Sequence, residues 1–280
     1  GSDYVAAAGT LSVAAGGAHA CGVTTDRKLV CWGASGAGQA DVPPDLGPVA
    51  AVSAGYEHTC VLTVTGGVRC FGSDVSGQCR GIPAGVQGLA VAVSAGYAST
   101  CVLLRNNSAR CTGGGAGPTV PLELEGRVTS VAVGEEETCV GTTQGSAFCW
   151  VSPGGSPVAE ALNLTRVAQA AAPAPGIRCA LVNGVVGRTV RCLPKTEEWW
   201  PVYRGLDGVS GALTLSAGTN HMCALTADGA VHCIGGNNFG QALVAPELTQ
   251  AGAALAVSAG GSHTCVIVPP CEPRAPRCAG

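Results

Sequence analysis

The sequence predicts an all-β fold, a seven-bladed β-propeller with an intra-blade disulfide in each blade. Three observations predict it: an internal period of about 40 residues, cysteines paired ten positions apart in five of its copies, and a glycine-rich composition poor in charge. Four short strands per period of this length is the pattern of a propeller blade.

The period is read from one recurring phrase. Val-Ser-Ala-Gly occurs at 52–55, 93–96 and 257–260, with variants at 13–16, 131–134 and 215–218. A cysteine follows five residues after each glycine: Cys21, Cys60, Cys101, Cys139, Cys223 and Cys265; a degenerate copy carries Cys179. The spacings of these seven are 39, 41, 38, 40, 44 and 42 residues. The copies give blades at about 11–50, 51–90, 91–130, 131–168, 169–211, 212–250 and 251–280, a single domain over 3–280 in which residues 3–8 supply the strand missing from the last blade.

A second cysteine follows ten positions later at Cys31, Cys70, Cys111, Cys149 and Cys233, and thirteen later at Cys192. Turn formers such as Thr65-Gly66-Gly67 lie between, flanked by short apolar alternation, so each pair spans a β-hairpin. Opposed strand residues lie within disulfide reach. In the last blade Cys265 is expected to pair with Cys278, at the spacing already seen for Cys179 and Cys192, which leaves Cys79 and Cys271 unpaired or available to another chain. A fourth strand is expected where an apolar residue precedes proline, as in Val42-Pro43, Ile82-Pro83 and Val120-Pro121, because an edge strand tolerates proline.

Sixteen cysteines in 280 residues point to an oxidising compartment, hence to an extracellular or cell-surface location. Two N-glycosylation sequons, at Asn106 and Asn163, agree with it. The net charge of −3 offers no basic field for nucleic acid, and no apolar run reaches the ~18 residues of a membrane span.

The repeat resembles that of the regulator-of-chromosome-condensation propellers. The motifs that carry it are Ala15-Gly16…His19, Trp32-Gly33 and Gly38-Gln39, repeated as Gly55…His58, Phe71-Gly72 and Gly77-Gln78, and as Gly218…His221, Gly235 and Gly240-Gln241. The paired cysteines, as in Cys21-Gly22-Val23…Cys31-Trp32-Gly33, are similar to the ectodomain of the Crinkly-type plant receptor kinases. The resemblance implies a binding module on a receptor, adhesion or cell-surface protein, with a protein, peptide or glycan partner; a secreted inhibitor of an enzyme is the alternative.

No catalytic constellation, cofactor motif or metal site is expected. His-x-Cys recurs at His19, His58, His221 and His263, but each cysteine already has a hairpin partner and the position holds Ser99, Glu137 and Ile177 elsewhere. Glu135-Glu136-Glu137 and Glu197-Glu198 read as solvated loop charges. The candidate contact residues are aromatic. Trp199 and Tyr203 fall in a local cluster around Trp200, which aligns with the buried residue before proline in the other copies. Tyr56 and Tyr97 fall in the turns after the first strands of blades two and three. Alternating strand direction places those turns on one face and both sequons on the other.

Overall fold

The computed structural model describes residues 10–114, 120–151, 160–162, 164–171, 177–185, 187–194, 204–245, 254–269 and 277–279. Among them the chain forms seven antiparallel sheets, each from consecutive strands. Sheet one is β1 Thr10–Ala15, β2 His19–Thr24 and β3 Leu29–Gly33. Sheet two is β4 Val49–Ala54, β5 His58–Thr63 and β6 Val68–Gly72; sheet three is β7 Ala90–Ala95, β8 Ser99–Leu104 and β9 Ala109–Gly113. Sheet four has β10 Val128–Val133, β11 Glu137–Thr142, β12 Ala147–Val151 and the two-residue β13 Glu160–Ala161. Sheet five is β14 Val167–Ala171, β15 Ile177–Gly184 and β16 Gly187–Pro194. Sheet six is β17 Ala212–Ala217, β18 His221–Thr226 and β19 Val231–Gly235; sheet seven is β20 Ala256–Ala259, β21 Thr264–Ile267 and β22 Arg277–Ala279.

The hairpin cysteines meet as their spacing requires. Cys21 faces Cys31 and Cys60 faces Cys70 in register, and so on through Cys223 and Cys233. Six disulfides follow: Cys21–Cys31, Cys60–Cys70, Cys101–Cys111, Cys139–Cys149, Cys179–Cys192 and Cys223–Cys233. Cys265 is disulfide-bonded as well, and Cys278 lies directly across from it. Cys79 is a free thiol, half-buried, donating to the Ser73 carbonyl. Cys271 and the closing segment 3–8 lie outside the described residues.

The fourth strand is the expectation that fails in sheets one and two, whose closing segments are fully described. Among the described residues only sheet four has one, and there the segment beside Cys149 is Glu160–Ala161. Val42, Ile82, Val120 and Val244 still pack their side chains against the core, but their segments form no ladder. Two features explain this. Gly33, Gly72, Gly113 and Gly235 end the third strands at φ +94° to +115°, which swings the chain out of line. Pro43, Pro83 and Pro121 then withhold an N–H just where the ladder would continue.

Seven hydrophobic clusters hold the sheets together, each straddling one seam between neighbours. The cluster of Val13, Ala15 and Ala20 with Cys265 and Ile267 joins sheet seven back to sheet one and closes the ring. The first strands of all seven sheets line an axial channel of about 340 Å³.

Candidate functional site

The phrase that revealed the period builds the inner wall of this channel. Its serine bridges neighbouring sheets: the hydroxyls of Ser53, Ser94, Ser216 and Ser258 accept the N–H groups of Ala95, Val133, Ala259 and Ala15, at 2.9–3.1 Å. Its glycine permits close approach of the next turn. A Cβ on Gly16 would sit 2.6 Å from the Gly55 carbonyl oxygen and one on Gly96 2.5 Å from that of Gly134; Gly55, Gly218 and Gly260 are tighter still.

The histidines serve the same seams. His19 Nε2 lies 2.8 Å from Thr59 Oγ1, His58 Nε2 2.9 Å from Thr100 Oγ1, and His221 Nε2 2.8 Å from Thr264 Oγ1. The Thr59 and Thr264 hydroxyls donate to the Gln39 and Gln241 carbonyls, so His19 and His221 donate through Nε2. Their Nδ1 atoms, like that of His58, are buried without a hydrogen-bond partner. Burial pushes all three rings down to about 4, helped by His263 at His19 and His221 and by His19 at His58, where Asp74 opposes it.

Glu137 corrects the reading of its acidic run. Glu135 and Glu136 are exposed in a turn, but Glu137 opens β11 and is buried. It stands where other sheets carry histidine, and it pairs with Arg178 of sheet five at 2.9 and 3.0 Å. A guanidinium and a carboxylate thus replace the ring and hydroxyl of the other seams. The sequence signal was available, because Glu137 lies two residues before Cys139 just as His19 does before Cys21. Among the described residues Glu137, Cys139 and Cys149 cluster at metal-ligand distance, but both sulfurs are tied in a disulfide.

The structure divides the loops between two faces, as the strand directions require. The turns after the first strands bond to the loops after the third: Ala34 N–H to Ala18, Ser73 to Glu57, Gly114 to Ala98 and Gly236 to Asn220. The hairpin tips bond to the links that enter the next sheet, as in Val49 N–H to Arg27 and Val128 to Asn107. Asn106 is exposed on this second face, at the tip of the β8–β9 hairpin. Asn163, Trp199, Trp200, Tyr203 and Glu197-Glu198 lie outside the described residues.

On the first face the channel opens between eight glycines, with Tyr56, Tyr97, Glu135 and Thr219 around them. Tyr56 and Tyr97 stack at 4.5 Å between ring centroids, 28° from parallel. They remain 40% and 45% exposed, which makes the pair a presented aromatic surface. The Tyr56 ring rests on Gly17, where a Cβ would come within 2.8 Å of it.

The fold and these seams define a β-propeller, and three of its repeats are of the regulator-of-chromosome-condensation type. Residues 11–39, 49–78 and 214–241 match the Regulator of chromosome condensation (RCC1) repeat. These are the three copies that keep both the histidine and a buried glutamine, Gln39, Gln78 and Gln241. Among solved structures the chain is similar to the CRINKLY WD40 ectodomain of the Arabidopsis thaliana receptor kinase ACR4, at 19% identity and TM-score 0.66 over 98% of this chain and 99% of that one. It is similar to the entire ectodomain of the Physcomitrella patens receptor kinase CR4, at 20% identity and TM-score 0.71 over 98% and 74%. Human WBSCR16 shares the fold at 17% identity and TM-score 0.70 over 93% and 87%. No curated protein sequence matches the chain.

Proposed function

We propose that the chain is an extracellular recognition module, without catalytic activity of its own, and that its partner docks over the channel mouth on the face of Tyr56 and Tyr97. The observation that carries this reading is the exposed tyrosine stack beside an open mouth. Aromatic side chains kept partly in solvent on a rigid frame are typical anchors of binding energy. The six disulfides, one to a hairpin in sheets one to six, support an oxidising location. The likeness to receptor-kinase ectodomains supports the same assignment. A glycan on Asn106 would occupy the opposite face and leave this one clear.

The test is a binding screen of the secreted chain against extracellular proteins, peptides and glycans, repeated with variants of each face. Tyr97→Ala is expected to weaken the partner about tenfold or more, roughly 1.4 kcal/mol. Arg105→Ala, at the hairpin tip of the other face, is expected to change nothing. The opposite ranking, with both variants folded, would move the site to the sequon-bearing face.

A further inference from the structure

The rim of the mouth has an unusual balance of hydrogen-bonding groups. Five of the described turns donate their first N–H to the next turn round the ring: Gly17 to the Gly55 and Tyr56 carbonyls, Tyr56 to Gly96, Tyr97 to Gly134, Thr219 to Gly260 and Gly261 to Gly16. The distances run from 2.8 to 3.3 Å. Five backbone donors that would otherwise face solvent are therefore engaged. Each accepting carbonyl keeps a second lone pair. At these five turns the backbone of the mouth offers acceptors while its first donors are occupied.

Charge has the same sign. The described turns hold Glu57, Glu135 and Glu136, all exposed, and no lysine or arginine. None of the three glutamates takes part in an ion pair among the described residues. Arg80, in the loop between β6 and β7, is the cation nearest in sequence on this face and is paired with Asp74. The tyrosine faces add a third contribution, since the negative face of an aromatic ring attracts cations.

We propose that the mouth receives a cationic side chain of the partner, the guanidinium of an arginine or the ammonium of a lysine, from a basic peptide or loop. The group lies against the Tyr56–Tyr97 stack, with Glu135 and Glu136 neutralising it and the glycine carbonyls accepting its N–H groups. A mouth lined by glycine leaves room for the stem of such a chain, and the channel beneath is wide enough for water to follow. The same features disfavour an anionic ligand, which would meet acceptors and carboxylates.

This inference rests on the docking face proposed above and adds the chemistry of what docks there. The probe is a short amide-capped peptide, Gly-(Arg)3-Gly, set against its citrulline counterpart, which keeps the shape and loses the charge; a lysine version forms a third arm. Calorimetric titration of the disulfide-intact chain should show the arginine peptide binding at least tenfold tighter than the citrulline peptide, with the gap shrinking at high salt. The double variant Glu135→Gln/Glu136→Gln and Tyr97→Leu should each weaken the arginine peptide severalfold. Equal binding of the charged and neutral peptides, no binding of any of them, or indifference to both variants would overturn the cationic assignment. A partner that loses affinity with Tyr97→Ala while the peptides show no charge preference would keep the docking face and remove only this chemistry.

Discussion

At the scale of residues, the seams depend on groups that stay neutral. His19, His58 and His221 are held at about 4 by burial, well below the ordinary value of 6.5. Unfolding returns each ring to that ordinary value. The unfolded chain therefore binds more protons between about pH 4 and 6.5, and stability falls as pH drops through that window. Above pH 6.5 the contribution is complete. Each ring is expected to cost on the order of 2 kcal/mol at pH 5. Guanidinium titrations should show the midpoint falling between pH 7.5 and pH 4.5, and falling less in His58→Gln, which removes one titrating ring. A midpoint that ignores pH would show that these rings are not neutral donors in the folded chain.

At the scale of elements, the hairpins were the most legible part of the sequence and the fourth strands the least. Cysteine spacing fixed the hairpin register, because a ten-residue separation about a turn leaves the two sulfurs directly opposed, as at Cys21 and Cys31. The apolar residue before proline was also read correctly as a packing position, for Val42 and Ile82 do cover the core. Packing alone does not make a strand, however. Proline removes the donor and the preceding positive-φ glycine turns the chain away, and both are backbone effects that an apolar pattern does not report. The tyrosine pair was legible as two turn residues on one face, but their stacking depends on the angle between adjacent sheets, which no local pattern encodes. The seams are interchangeable parts, and this can be tested where sheet four meets sheet five. Arg178→Ala leaves the buried Glu137 carboxylate without its guanidinium and is expected to cost about 3–5 kcal/mol. Glu137→His combined with Arg178→Thr rebuilds the pair found at three other seams. Denaturant unfolding should show that the double variant recovers at least half of that loss. If it is as unstable as the single changes added together, the seams are not equivalent.

At the scale of the whole molecule, stability is distributed around a ring and no single central core exists. Each hydrophobic cluster joins two neighbouring sheets, and the axis is an open channel. Such an assembly gains stability from nearest-neighbour contacts, as linear repeat proteins do, but closure removes the terminal units that fray. The turn-to-turn hydrogen bonds among the described residues carry this closure up to the surface. Exposed turns ordinarily exchange their amide protons with solvent quickly, because little holds them shut. Here the amides of Tyr56, Tyr97, Thr219 and Gly261 can open only if two sheets part. Deuterium uptake should therefore be slow at these surface amides and fast at the hairpin tips of the other face, such as Asn106. Equal uptake on the two faces would mean that the turns move independently of the sheets. A surface already immobile before contact surrenders little conformational freedom on binding, so an affinity measured there should carry only a small entropic penalty from the protein side.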